Sequence, residues 1–168
     1  PREWIATAAG KPIDVRVGAR GWYHPETGRM SLADLGEAVD GAGPLGKSAL
    51  HELWHHLESV IPDLVAAEWA YHWWRTSSGD VGGRRRDGRN GLRSLADLLP
   101  GLGYGRGELT REDGFADPFV GREYVDQGMW EIGAMAVESL FAGSSYLDPD
   151  LREWIMGVLG HLLAEGAA

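Results

Sequence analysis

Residues 45–59 read LGKSALHELWHHLES, and this stretch decides how the rest of the chain has to be arranged. Its leucines and its tryptophan recur at helical spacing, which predicts a helix over residues 47–60. On such a helix, His51 and His55 lie one turn apart on the same face. His56 is turned about 100° away from His55, so we expect it to be a packing or surface histidine. The helix therefore presents two imidazoles side by side.

The five residues from His51 to His55 match the pattern H-E-x-x-H, in which both histidines can reach one metal ion. Glu52 projects to the side, where its carboxylate can take a proton from a water held by the ion. Zinc lowers the pKa of such a water to about 7, which gives a hydroxide nucleophile at neutral pH. The pattern arises by chance about 0.02 times in a chain of this composition, so we expect a site for one zinc ion rather than two solvent-facing histidines.

A catalytic zinc site needs a third protein ligand, and three ligands leave one position open. The chain has no cysteine, so this ligand has to be His, Asp or Glu. Glu131 and Glu138 lie seven residues apart on one side of the apolar segment WEIGAMAVES, where their carboxylates need partners. A bound cation is one such partner and a histidine N–H is another. We therefore expect one glutamate on zinc and the other orienting a ligand imidazole.

Three segments, HELWHHLE, DPFVGREY and EIGAMAVE, together resemble the gluzincin-like metallopeptidase domains of phage-encoded and polyvalent proteins. Those domains carry H-E-x-x-H-H-L-E on one helix, then an Asp-Pro-aromatic segment ending in G-(K/R)-x-Y, and then a helix with a glutamate ligand. The resemblance covers residues 21–60 and 115–160 and places that ligand at Glu131, with Met135 and Glu138 also matching. The small residues in GAM and a Gly/Arg insertion depart from the family pattern and put the substrate preference in doubt.

The resemblance implies that one zinc ion is held by His51, His55 and Glu131. Glu52 is then the general base, and Glu138 supports the ligands from behind. The other candidates for the third ligand are Glu138, His72, Glu68 and Asp126.

The predicted fold is α+β and zincin-like, with a small N-terminal β-sheet packed on the active-site helix and a mainly helical C-terminal part. We expect a single domain over residues 1–168, with the sheet and active-site helix in residues 1–60 and the third ligand in residues 61–168. Residues 77–91, rich in Gly and Arg, are predicted to form a flexible loop. Strands are predicted over 13–24 and 28–35, and further helices over 63–75, 92–99, 126–143 and 148–164.

In zincins a strand that precedes the active-site helix borders the cleft, and an extended substrate pairs with its edge. By this analogy the substrate edge is predicted in residues 28–34, including Arg29, Met30, Ser31 and Leu32. The alternative is an ordinary sheet edge that binds no ligand.

Three further side chains near the motifs have candidate roles. The Tyr124 hydroxyl is a candidate to stabilise the oxyanion of a tetrahedral intermediate, with a packed tyrosine as the alternative. Trp54 is expected to face the core behind the zinc ion. Glu58 is either solvent-facing or a neighbour of the metal ligands.

Composition restricts the partners. The net charge of −9 argues against nucleic acid, and no apolar run is long enough to predict a membrane span. No signal-peptide pattern is present, so the cytoplasm is the default location. The chain begins at Pro1, which leaves open a larger parent protein and an activating partner.

The sequence thus predicts a zinc-dependent peptidase that acts on a protein or peptide. Two other hypotheses keep the same chemistry: a zinc hydrolase acting on a non-peptide or modified side chain, and a toxin or effector domain. A third hypothesis, from another class, is a non-catalytic binding module that zinc stabilises.

Overall fold

A computed structural model describes residues 10–33, 44–77, 92–111, 115, 117–124, 129–142 and 148–165. Most of the predicted Gly/Arg loop, residues 78–91, and the candidate ligand Asp126 lie outside these ranges. The described residues form an α+β fold with two small sheets and five α-helices, which confirms the α+β class; the zincin-like arrangement stays a prediction. The elements are β1 (Asp14–Gly18), β2 (Trp22–His24), β3 (Arg29–Ala33), α1 (Pro44–Glu58), α2 (Pro62–Ser77), β4 (Leu92–Ser94), α3 (Leu95–Leu98), β5 (Leu109–Arg111), β6 (Arg122–Glu123), α4 (Glu131–Ala142) and α5 (Pro149–Glu165).

The first sheet has the strand order β1-β3-β2. Strand β3 pairs in parallel with β1 and antiparallel with β2, and the β2–β3 turn closes at Gly28, whose φ of 65° favours glycine. The prediction that Arg29, Met30, Ser31 and Leu32 form a substrate edge is therefore wrong. These residues lie in the central strand, where Arg29 to Ser31 have a paired strand on both sides. The parallel partner β1 is a non-local pairing that the alternation of residues along one strand cannot reveal.

Helix α1 covers one face of this sheet, and its buried side chains include Trp54, His55 and His56. The Ser48 hydroxyl accepts a hydrogen bond of 2.9 Å from the backbone N–H of Ala33, which ties the helix to the end of β3. Tyr23, from β2, is also buried and reaches the far end of the helix. This packing agrees with the predicted sheet on the motif helix.

A second sheet, which the sequence did not predict, has the antiparallel order β4-β5-β6. Residues 92–94, predicted as the start of a helix, form strand β4, and the helix that follows is limited to α3. Because these strands have only two or three residues, their pairing partners rather than local periodicity define them. The helix predicted from residue 126 begins at Glu131.

The chain divides into two compact units, one of residues 1–64 with 133–168 and the other of residues 65–132. The first contains the first sheet and α1, with Ile155 fully buried in its core. The second contains the second sheet, with Leu95 and Thr110 fully buried. The single domain over residues 1–168 stays a prediction. In the part of the chain that the structure describes, no helix has the length and apolar character needed to cross a membrane.

Candidate metal centre

His51 and His55 face each other across one turn of α1. Their Nε2 atoms are 3.3 Å apart, and their rings meet edge to face at 79°. Two nitrogen ligands at about 2.0–2.1 Å from a tetrahedral zinc ion are separated by about 3.3–3.4 Å. The two Nε2 atoms therefore already have the spacing that a shared ion requires.

The Nδ1 atoms of both imidazoles lie next to carboxylates. His55 Nδ1 is 2.6 Å from Glu58 Oε2, and Glu58 is only 3% exposed, so it is a neighbour of a ligand rather than a solvent-facing residue. His51 Nδ1 is 3.3 Å from Glu138 Oε2, which places Glu138 where a supporting carboxylate was expected. The hydrogen-bonded carboxylate of Glu58 favours the His55 tautomer in which Nδ1 carries the proton. The charge of Glu138 favours the same tautomer of His51.

The tautomers decide what can lie between the two rings. With Nδ1–H on both imidazoles, the two Nε2 atoms point lone pairs at each other across 3.3 Å. Such an arrangement is repulsive unless one ring is protonated or a cation binds both lone pairs. The donor set thus fits a metal ion that prefers imidazole nitrogen, such as zinc.

Glu131 completes a group of three potential ligands with His51 and His55. It is the first residue of α4 and is 1% exposed, and the ligand atoms of the three residues all lie within 4.8 Å of one another. This group could hold a metal ion.

The other candidate ligands lie elsewhere. Glu138 is at the Nδ1 side of His51, opposite the ring nitrogen that faces His55. His72 is fully buried, with Nε2 3.3 Å from the carbonyl oxygen of Gly121 and its ring 4.6 Å from that of Trp130, as expected of a core histidine. Glu68 is also fully buried and, like His72, is not part of the three-residue group found among the described residues.

Glu52 is 4% exposed and lies against the backbone at Gly21, just before β2. A methyl group at Gly21 would be 2.6 Å from Glu52 Oε1 and 2.9 Å from Ser48 Oγ, both closer than van der Waals contact. Only glycine therefore lets the chain pass this close to the carboxylate. Gly21 is a site residue that the sequence analysis missed, and H-E-x-x-H gives no sign of it.

Trp54 is 2% exposed, as expected of a residue that faces the core. Its indole packs directly on the backbone of Gly133, where a Cβ atom would overlap Nε1 and Cε2 of the ring. This contact explains the glycine at the first position of GAM, because the bulky Trp54 fills the space that a larger residue at position 133 would take.

The side chain of Tyr124 lies next to that of Glu131. Its hydroxyl donates a hydrogen bond to Glu131 Oε1, and Arg122 Nη1 is 3.5 Å from the same oxygen. Arg122 and Tyr124 are the basic residue and the tyrosine of the G-(K/R)-x-Y pattern in DPFVGREY, but the pattern itself does not predict their contact with Glu131.

His56 is 2% exposed and belongs to a separate network. The Tyr23 hydroxyl is 3.0 Å from His56 Nδ1 and 3.1 Å from Ser59 Oγ, and Lys11 Nζ donates to Ser59 Oγ. His56 therefore ties the end of α1 to β2, as expected of a packing histidine.

No family model, curated protein or solved structure matches the chain.

Proposed function

We propose that the chain is a zinc-dependent peptidase with a zincin-like fold. His51, His55 and Glu131 hold one zinc ion, and Glu52 is the general base. Glu58 and Glu138 orient the two imidazoles. The observation that carries the proposal is the pair of Nε2 atoms 3.3 Å apart, each on a ring whose Nδ1 lies next to a carboxylate.

Charge supports the same conclusion. Glu52, Glu58 and Glu131 are each less than 5% exposed, and ionised carboxylates are costly to bury unless they are paired. Two neutral imidazoles supply N–H donors but no positive charge. Arg122 already contacts Glu131, and a divalent cation at the three ligands would offset the remaining negative charge of these carboxylates.

The chain's own residues perform the proton transfers. Zinc bound here would lower the pKa of its water to about 7 and polarise the scissile carbonyl. Glu52 takes the proton of the attacking water and then gives it to the leaving amine. The close approach of the backbone at Gly21 limits where the Glu52 carboxylate can lie, which helps to orient the base before the substrate arrives.

An extended peptide requires a sheet edge, and β2 supplies one. Strand β2 is at the outside of the described sheet, directly after Gly21, which contacts Glu52. Pairing of substrate backbone with β2 would bring a peptide bond close to the base. This position replaces the central strand β3 as the substrate edge.

The test combines metal content with turnover. We expect one zinc ion per chain, and we expect Glu52→Gln to retain the metal and lose peptide hydrolysis, because the amide cannot accept the proton. Glu26→Gln, at an exposed turn, is the matched control and should behave as the unaltered protein.

Retained hydrolysis in Glu52→Gln would refute the assignment of the base. Stoichiometric zinc together with no cleavage of any peptide in a proteome-derived library would favour the non-peptide hydrolase. A fourth protein ligand on the ion would instead support the zinc-stabilised binding module.

A further inference from the structure

Glu131 accepts hydrogen bonds from two side chains that the proposed reaction does not use. The Tyr124 hydroxyl and the Arg122 guanidinium both donate to Oε1 of Glu131. Because Glu131 is 1% exposed, both contacts form away from bulk water, where Tyr124 is the closer donor and Arg122 Nη1, at 3.5 Å, contributes mainly its positive charge. The donors therefore distinguish the two oxygens of this carboxylate.

Arg122 is itself held on several sides. Its Nη2 is 2.8 Å from Glu108 Oε1, and its guanidinium lies 4.2 Å from the ring centre of Tyr124 and 5.4 Å from that of Phe119. The planar guanidinium is thus stacked on aromatic rings while its edge contacts carboxylates. Arg122 and Tyr124 are two residues apart, so one short segment presents both donors to Glu131.

We propose that Tyr124 and Arg122 form a clamp that makes Glu131 a metal ligand through Oε2 alone. An ionised carboxylate oxygen accepts in about two lone-pair directions, and at Oε1 two donors use them. Coordination through one oxygen, together with two imidazoles, leaves a fourth tetrahedral position for water. The clamp thereby keeps the site open for catalysis.

This inference rests on the proposed function, since it concerns the same ion. Tyr124 and Arg122 are then positioning residues that act through Glu131. The clamp also replaces the predicted oxyanion role of Tyr124, because the hydroxyl proton is already donated to the carboxylate.

The experiment titrates metal-free protein with Co²⁺ and follows both the affinity and the visible spectrum. Tyr124→Phe removes the hydroxyl, and Arg122→Lys keeps the positive charge beside Glu108 but lacks the planar fork. We expect both variants to bind Co²⁺ about 10-fold or more weakly, the usual effect of losing a group that orients a ligand. We also expect weaker d–d absorption in Tyr124→Phe, because Oε1 becomes available to the ion and raises the coordination number.

Tyr104→Phe is the matched control, since the Tyr104 ring packs 5.5 Å from that of Phe119, and it should titrate as the unaltered protein. Circular dichroism of each metal-free variant establishes that it is folded, and Arg122→Lys supplies the measurement if Tyr124→Phe does not fold.

Affinity and spectrum unchanged in Tyr124→Phe would overturn the clamp, and a fall in kcat alone would assign the hydroxyl to the reacting carbonyl. Weaker binding with an unchanged spectrum would overturn coordination through one oxygen. If the unaltered protein binds neither Co²⁺ nor Zn²⁺, the proposed function fails together with the clamp; binding by the unaltered protein with no effect of either variant refutes the clamp alone.

Discussion

Because Trp54 packs on Gly133, we expect Gly133→Ala to destabilise the protein, whereas the same replacement in most helices is stabilising. Replacing a helical glycine with alanine ordinarily stabilises a protein by about 1 kcal/mol, because the unfolded chain loses conformational freedom. At position 133, however, the new methyl group would lie 2.6 Å from Cζ2 of Trp54 and closer still to Nε1 and Cε2. One of the two residues has to move.

The cost follows from the rigidity of the partner. The indole of Trp54 is 2% exposed and cannot rotate into solvent. We therefore place the cost of the overlap at the upper end of the range of about 1–3 kcal/mol for overpacked cores. Subtracting the helical gain of about 1 kcal/mol leaves Gly133→Ala destabilised by about 2 kcal/mol. For a chain of this size, that corresponds to a decrease in Tm of about 4–8 °C.

Urea unfolding in the presence of EDTA measures this change without a contribution from bound metal. In a Trp54→Leu background the methyl group has room, so Gly133→Ala should there stabilise by about 1 kcal/mol. The resulting coupling free energy is about 3 kcal/mol, which is large enough to resolve in a double-mutant cycle.

Gly157, in α5, provides the control, because a methyl group there would have no atom outside its own helix within 4 Å. Gly157→Ala should stabilise in either background. If Gly133→Ala stabilises the unaltered protein as Gly157→Ala does, the packing of α4 on Trp54 is wrong, and so is the explanation of the glycine at position 133.

Two further predictions concern the residues around the ion. Glu58→Gln removes the charge that favours Nδ1–H on His55, so zinc affinity measured by competition with a chelator should fall about 10–100-fold, whereas Glu26→Gln should have no effect. Gly21→Ala should displace the carboxylate of Glu52 and lower kcat while zinc stays bound; full activity in this variant would show that Gly21 does not position the base.

The parts of the site that were predictable from sequence are those that one helix provides by itself. His51 and His55 lie four residues apart, and any α-helix brings them together. Glu58 lies three residues beyond His55, and helical geometry alone places it within reach, although a solvent-facing side chain was equally compatible with the sequence. The α+β class likewise follows from short alternating strands beside a periodic helix.

The predictions that are wrong or incomplete concern residues whose structure depends on contacts with residues far away in the sequence. The sequence predicts an edge at β3 because nothing in the residues of this strand identifies β1 as a second partner. The sequence predicts helix at β4 because only the pairing with β5 makes LRS a strand. Gly21 and Gly133 look like ordinary loop and helix glycines until the side chains of Glu52 and Trp54 are in place.

The carboxylate contacts at the Nδ1 atoms of His51 and His55 differ in the same way, one being distant along the chain and the other local. The His55–Glu58 contact lies within one turn of α1 and persists wherever α4 is. The His51–Glu138 contact joins α1 to α4, so it depends on the packing of Gly133 against Trp54. A shift of α4 should therefore weaken the preference of His51 for the Nδ1–H tautomer before it affects His55. In Gly133→Ala, ¹⁵N spectra of the imidazoles should show mixed tautomers for His51 and a single Nδ1–H tautomer for His55; equal loss in both rings would contradict this order.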